Sequence, residues 1–369
     1  MASEVRRGQH KSRGVSSPDA ALTARLAAAR RGNQDEFSGL TEPYRRELQV
    51  HCYRILGSLP EAEDLVQETL LRAWRRLDTY EGRASFRAWL YKIATNACLD
   101  VLASRKRRQR LLPPAAHPAA DPRAAIAPPV MEPVWLEPLP DDWFVEAAAN
   151  PEARYTARES ISLAFLAALQ VLPPRQRAVL ILGDVLDWHA SEIAELLGIT
   201  VSAVNSALHR ARGTLTKHYH RRGQESAPAS PPNERTRALL HQYVQAWEAA
   251  DVAGLVTLLK RDAVFTMPPS PSWYRGRASV GASVAATIFK DEGMFPGKAA
   301  GRWRLQSVGA NGQPAFALYQ RDEAGGPYRA FGIQVLTIEG GKLAEVANFL
   351  NPAFFPFFHL PAELSPSSL

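Results

Sequence analysis

Cysteine is almost missing from this chain of 369 residues: Cys52 and Cys98 are the only two. Two thiols make no disulfide framework, and no Cys/His spacing matches a zinc site, so a reducing compartment, the cytoplasm, is expected. Long apolar runs are lacking too. No stretch reaches the roughly eighteen residues that a membrane-spanning helix needs. The opening residues, MASEVRRGQHKSRG, are charged where a secretory leader is apolar. No internal repeat is visible. Acid is missing from one place that matters later: none lies between Glu195 and Glu225.

What is present is cationic and uneven. The net charge is +7, but residues 1–110 hold 21 Lys and Arg against 13 Asp and Glu. Residues 111–150 hold one against six, 151–222 nine against six, and 223–369 thirteen against twelve. The surplus sits in the first and third of these pieces, which points to a polyanionic partner for those two alone. Nine of the 28 prolines fall in 111–150, so that acidic stretch reads as an extended linker. These breaks divide the chain into a basic, disordered N-terminus (1–20), a first domain (21–110), the acidic Pro-rich linker (111–150) and a second domain (151–221). A short linker (222–234), a third domain (235–350) and a Phe/Pro-rich tail (351–369) follow.

The first domain reads as all helix. In PEAEDLVQETLLRAWRRL, a proline and acids in the first turn suit the positive end of a helix dipole. At about 100° per residue, Ala62, Leu65, Val66, Leu70, Ala73, Trp74 and Leu77 fall on one broad side. Asp64, Gln67, Glu68, Leu71 and Arg75 gather on the other. A further helix is expected to start at Ser85 as N-cap and to end in RKRRQR, five cations in six residues. In the second domain, DWHASEIAELLGITVSAVNSALHRARGTL places a helix, a glycine turn at Gly198 and a second helix from about Thr200. Ile193, Leu197, Ile199, Val204 and Leu208 are positioned to share a core, the spacing of a helix-turn-helix. The third domain changes character. Helical patterns at 235–250, 252–260 and 277–290 precede or interrupt the strand-like runs RWRLQSVGA, PAFALYQRD, YRAFGIQVLTIE and KLAEVANFL. The turn signals between these runs are Asn311-Gly312, Gly325-Gly326 and Gly340-Gly341. An α+β domain with an antiparallel sheet is expected.

Helix-turn-helix geometry also occurs in proteins that never touch DNA, so the exposed residues decide. The second helix offers Ser202, Asn205, Ser206, His209, Arg210 and Arg212 in the acid-free window, which suits base edges flanked by phosphates. The cationic run is by default a solvated helix end. Following Phe86, Trp89 and Tyr91, it could instead hold a nucleic-acid backbone while rings meet unstacked bases.

Together these strings resemble a known family. Residues 37–104, carried by EAEDLVQETLLRAWRRLDTYEGRASFRAWLYKIATNACLD, resemble region two of bacterial RNA polymerase sigma factors of the extracytoplasmic-function (ECF) group. Residues 158–220, carried by LPPRQRAVLILGDVLDWHASEIAELLGITVSAVNSALHRAR, resemble region four. The resemblance implies two all-α sigma domains, core RNA polymerase and promoter DNA as partners, and no chemistry of the chain's own. It assigns Asp64, Gln67, Glu68 and Arg75 to core binding. The loop 79–85 with Arg87, Lys92, Asn96, Asp100, Arg105 and Arg107 would capture the opened −10 strand, and Ser202 to Arg212 would read the −35 element. The acidic linker would thread toward the polymerase active centre. Thr95 departs from the family pattern, where many members carry Arg, so promoter sequence is not carried over.

The third domain, through AWEAADVAGLVTLLKRDAVFTMPPSPSWYRGRASV, resembles the SnoaL-like (NTF2-like) group, a cone of curved sheet and helices around a pocket. Trp247, Phe265, Met267, Trp273 and Tyr274 are candidate pocket walls for a small-molecule ligand. Asp251 reads as a helix cap and Asp262 as a helix-to-strand turn residue. Neither has an acid/base partner in sequence, so a regulatory role is expected, without cofactor, metal or membrane. The alternative is a cyclase or isomerase fused to DNA-binding domains; a repressor that works without polymerase is a third reading. The tail places Phe349, Phe354, Phe355, Phe357 and Phe358 around two prolines. It either plugs the third domain's own cone or clasps the sigma domains or the short linker.

Overall fold

A computed structural model of the chain describes residues 18–104, 110–130, 134–143, 160–219, 233–292, 294–322 and 325–365. The basic N-terminus lies almost wholly outside these residues, as do Arg105, Arg107 and nearly all of the short linker.

The first domain is a bundle of α1 (Pro18–Arg30), α2 (Gln34–Leu56), α3 (Leu59–Arg75) and α4 (Phe86–Ser104). Each start has a local cause. The Asn33 side chain accepts from the backbone N–H groups of Asp35 and Glu36 to open α2. Ser58 caps α3, with a proline in its first turn. The Ser85 hydroxyl accepts from Ala88 N at 3.1 Å, as its position as N-cap of α4 predicts. Between α2 and α3, Gly57 takes a left-handed conformation (φ 73°) that closes α2. Ala62, Val66, Leu70 and Ala73 of α3 face the core, while Leu65 and Trp74 are half-buried.

The second domain consists of α5 (Leu163–Gln170), α6 (Pro174–Leu180), α7 (Ala190–Leu197) and α8 (Val201–Tyr219), with a π-helical turn, Ile181–Val185, extending α6. The third opens with α9 (Glu234–Glu248) and α10 (Val252–Leu258). It continues through β1 (Leu259–Thr266), β2 (Trp273–Arg275), α11 (Arg277–Ala286), β3 (Trp303–Ala310), β4 (Gln313–Gln320), β5 (Tyr328–Glu339) and β6 (Lys342–Phe349), with β7 (Glu363–Leu364) in the tail. The strand order is β2-β1-β6-β5-β4-β3, and β7 pairs with β5. The expected antiparallel sheet is therefore mixed, because β6 returns beside β1 in the same direction, with Phe265 opposite Val346. The long excursion through α11 and four strands supplies the crossover that a parallel pair requires. Asp262 lies exposed within β1 and not at a turn. Asp251 caps α10 as expected, accepting from Gly254 N at 2.9 Å.

Two hydrophobic cores result. One fills the cone between the sheet and α9–α11. The other is shared: it joins the first and second domains, Leu136, Leu139 and Trp143 of the acidic linker, and the opposite face of the sheet. Strand β4 shows why. Phe316 and Leu318 point into the cone, whereas Ala315, Ala317 and Tyr319 face the shared core. A strand buried on both faces reads as a continuous apolar run, as PAFAL does.

The tail joins the shared core. Pro352–Phe358 forms a 3-10 helix that buries Phe354 and Phe355, and Phe355 meets Tyr319 edge-to-face at 5.1 Å. Phe357 reaches Trp143 of the acidic linker at 6.0 Å, and His359 pairs with Asp142 at 3.1 Å. The phenylalanines thus lie on the sheet face away from the cone, against the linker's end. Phe355→Ala, which empties a fully buried position, is expected to destabilise the folded chain by roughly 3–5 kcal/mol in denaturant melts. Phe357→Ala, half-buried, should cost markedly less; equal costs would contradict this placement.

Candidate nucleic-acid interface

On α3 the expected stripe is present. Asp64, Gln67, Leu71 and Arg75 are exposed at helical spacing, and Leu71 is 51% accessible in their midst. Glu68 is half-buried and pairs with Arg72 at 2.7 Å, and Arg72 also comes within 3.6 Å of Asp100 on α4.

On α4, Lys92, Asn96 and Asp100 form one exposed line at i, i+4 spacing. Arg87 does not join them. Its guanidinium grips Glu47 through Nε and Nη2 at 2.8–3.0 Å and lies 4.7 Å over the Tyr91 ring, so it braces α4 against α2. Arg110, last of the cationic run, is buried between Glu61 (2.7 Å) and Glu137 (3.1 Å). The loop 79–85 is set by an aromatic cluster in which Tyr80, Phe86 and Trp89 lie 5.3–5.6 Å apart. The Tyr80 hydroxyl donates to Ala84 O at 2.9 Å.

Thr95 is buried, and its hydroxyl is 2.9 Å from His51 Nε2. Burial, with Arg54 and then Arg87 nearby, lowers the His51 pKa to about 3.

The helix-turn-helix forms as its spacing predicts. Glu192 accepts from His189 N at 2.8 Å, Gly198 takes φ 64° at the end of α7, and the Thr200 hydroxyl accepts from Ala203 N at the start of α8. Ile193, Val204 and Leu208 are buried with Ala207 and Ala211, while Leu197 and Ile199 are half-buried. Ser202, Asn205, Ser206, His209, Arg210 and Arg212 are all exposed. Arg212 is held by Asp184 at 2.7 and 3.0 Å, an exposed pair that a phosphate can compete for.

The two candidate surfaces are not independent. Loop 79–85, Trp89 and Lys92 look across a cleft of about 580 Å³ at Trp188, Glu192 and Glu195 of the second domain. Trp188 packs on Tyr91 at 5.4 Å. Arg177 inserts behind α2, donating to Ile55 O, to Gln170 Oε1 at 2.7 Å and to Leu172 O at 3.2 Å. Burial pulls its pKa down to about 10.

A feature that sequence reasoning missed holds this arrangement. The β3–β4 turn, Asn311-Gly312, takes φ 57° and 68°, as an Asn-Gly hairpin should. Its tip is wholly buried among three other parts of the chain. Asn311 Oδ1 accepts from Leu139 N (2.9 Å), and its Nδ2 donates to Ile161 O (2.8 Å) and Tyr53 Oη (3.3 Å). Gly312 N donates to Asp141 Oδ1 (2.7 Å), and Leu163 N donates to Gln313 Oε1 (3.2 Å). The sequence signal was present in Asn-Gly, but it speaks only of the turn.

The acidic linker is not a free connector in its described parts. Trp273 Nε1 donates to His117 O (2.9 Å), Ala120 N to Trp273 O (2.8 Å), Ala127 N to Ser272 Oγ (2.9 Å) and Val130 N to Pro269 O (3.0 Å). Proline-rich chain has unpaired backbone groups to offer, and the third domain's 268–273 segment takes them. Of the candidate pocket walls, Trp247, Phe265 and Met267 line a cavity of about 40 Å³. Trp273 and Tyr274 are buried but do not, since Trp273 is engaged by the linker. Phe331 was missed. It is skipped in the β4–β5 register between Leu318↔Gly332 and Tyr319↔Ala330, and this bulge brings it to the cavity.

Comparison with known proteins matches these parts in order. Residues 40–108 match the family model Sigma-70 region 2, residues 162–215 match Sigma-70, region 4, and residues 240–346 match SnoaL-like domain. The molecule is thus a transcription initiation factor of the sigma-70 class with a SnoaL-like domain appended. It is 45% identical to the ECF RNA polymerase sigma factor SigG of Mycobacterium tuberculosis over 340 residues, which is 92% of this chain and 86% of that one. SigW of Bacillus subtilis is 30% identical over 196 residues, covering 53% of this chain and 95% of the relative. The crystal structure of M. tuberculosis SigJ shares the fold, with a TM-score of 0.52 and 22% identity over 88% of this chain and 99% of that one. The chain belongs to the ECF sigma factors.

The depressed His51 pKa has a consequence for stability. The unfolded chain binds a proton below its ordinary pKa of about 6.5, whereas the folded chain stays neutral down to about 3. Stability is therefore expected to fall as pH drops through this window, by about 2 kcal/mol at pH 5 from this group. Denaturant melts of the wild type against His51→Gln should show the slope flatten in the variant; parallel pH profiles would contradict it.

Proposed function

We propose that this sigma factor is held by its own C-terminal domain in a closed arrangement that keeps regions 2 and 4 from engaging a promoter. The observation that carries this is the buried Asn311 tip, which bonds region 2, the interdomain linker and the start of region 4 at once. The cleft supports the reading. Glu192 and Glu195 stand across from the loop that would receive the −10 strand, where a phosphate backbone meets like charge.

Within this reading, Asp64, Gln67, Glu68, Leu71 and Arg75 form the core polymerase-binding face. Lys92, Asn96 and Asp100 meet the −10 strand, and Arg87 serves by bracing α4. Ser202, Asn205, Ser206, His209 and Arg210 read the −35 element, while Arg212 exchanges Asp184 for a phosphate. The enzyme alternative finds no support in the cavity. Asn348 is its one polar wall among the described residues, and both ends of that amide are engaged, Oδ1 by Gln334 (2.7 Å) and Nδ2 by Thr266 O (2.8 Å). General acid–base catalysis needs a group that can exchange a proton, and this lining offers none.

Asn311→Ala in the full chain tests the closed state, since it orphans Leu139 N and Ile161 O in the interface. Promoter-specific transcription with core polymerase should rise several-fold, with core binding retained. Unchanged transcription from both this variant and a chain truncated near residue 225 would sink the proposal. For the DNA face, Arg212→Ala should weaken promoter binding about equally across sequences and reduce the salt slope of the affinity by about one unit. An unaltered slope would remove Arg212 from the phosphate contacts.

A further inference from the structure

We propose that the cavity of the C-terminal domain is a binding site for a small, uncharged, apolar molecule, and that Ile126 of the interdomain linker is the plug such a molecule displaces. This deepens the closed-state reading and rests on it for its regulatory meaning.

The cavity walls are rings and thioethers: Trp247, Phe265, Met267, Phe295, Trp303 and Phe331. At about 40 Å³ the space holds roughly one water. One wall does not belong to the domain. Ile126 comes from the linker, packs on the cone's own core with Ala120, and stands where an aliphatic ligand would. The linker thus seats a four-carbon side chain in an apolar site as a ligand surrogate. It is fastened nearby through Ala127 N to Ser272 Oγ and Ser270 Oγ to Ala127 O (2.8 Å). A charged ligand would be desolvated among rings and thioethers with no countercharge in the lining, and Asn348 is already bonded. Met294, 54% exposed on the rim, can adapt to a larger occupant. Because ligand and Ile126 compete for one volume, occupancy weakens the linker's attachment by the factor by which attachment weakens the ligand.

Arg123, exposed on the strap, makes the displacement readable by trypsin. The full chain is titrated with p-xylene, and with benzoate as a charged counterpart, following tryptophan fluorescence and the rate of cleavage after Arg123. Saturable p-xylene binding is expected, with cleavage several-fold faster at saturation and no effect of benzoate. Ile126→Ala should bind p-xylene at least tenfold tighter. Ile126→Trp should abolish binding and keep cleavage slow; if it loses cooperative melting, Ile126→Phe replaces it. Equal affinity in all variants, or cleavage after Arg123 unmoved at saturating p-xylene, overturns the proposal. Neither readout involves polymerase, so failure here is separable from failure of the closed-state reading, which the Asn311 variant decides by transcription.

Discussion

One amide side chain fixes how the parts of this molecule sit. Asn311 uses its oxygen and its nitrogen on three different segments, none of them in its own domain. The left-handed turn that makes Asn favourable there also projects the side chain beyond the end of the sheet. Burial raises the Tyr53 pKa well above its ordinary value, so the phenol stays neutral, accepting from Asn311 and donating to Glu137 O at 2.5 Å. The tip's other polar ties, Gly312 N to Asp141 and Leu163 N to Gln313, hold the linker and the start of region 4, so among the described residues it is the Asn311 amide that ties the tip to region 2. The apolar shared core could still collapse, but hydrophobic burial has no direction of its own.

Buried charge opposes the packing of the surrounding seam. Arg54 is fully buried beside region 4, donating to Ser160 Oγ at 2.6 Å, and burial lowers its pKa to about 10. Arg177 faces only carbonyl and amide oxygens among the described residues. Cations desolvated without a carboxylate return little net stability, and each would gain from water or an anionic partner. Arg110, by contrast, has Glu61 and Glu137, though burial still dominates over Arg110 and raises the Glu137 pKa. Apolar packing thus favours the closed arrangement while its buried arginines oppose it, and such a seam has two discrete states more readily than a continuum.

Much of this was legible in the sequence, and the limits have physical causes. Local rules found what is local: the caps at Ser85 and Asp251, the Gly198 turn, the stripe on α3 and the exposed face of α8. They failed where partners are far apart in the chain. Arg87 reads as a cation beside aromatics, and only the fold reveals Glu47 opposite it. Arg110 reads as the end of a basic run and turns out to be buried. The cavity was half legible, because Trp247, Phe265 and Met267 carry the right chemistry, but period-two alternation cannot locate the bulge that admits Phe331. The tail's phenylalanines announced a contact; which sheet face they cover depends on β4 being apolar on both.

The acidic linker carries the last step. Sequence resemblance sends it toward the polymerase active centre, where its charge would stand in for nucleic acid. Three of its carboxylates among the described residues are already occupied by distant partners. Glu137 accepts from Leu59 N (2.8 Å) and Arg110, Asp141 from Gly312 N, and Asp142 meets His359 of the tail. A carboxylate committed to a buried backbone N–H is not available to a channel lined for nucleic acid, so the linker cannot serve both places at once. On the closed-state proposal, closure and entry into polymerase would compete for the same few groups. Under that proposal the competition is settled at the linker and its two anchors, the Asn311 tip and the cavity mouth, and not at the proposed DNA-reading faces.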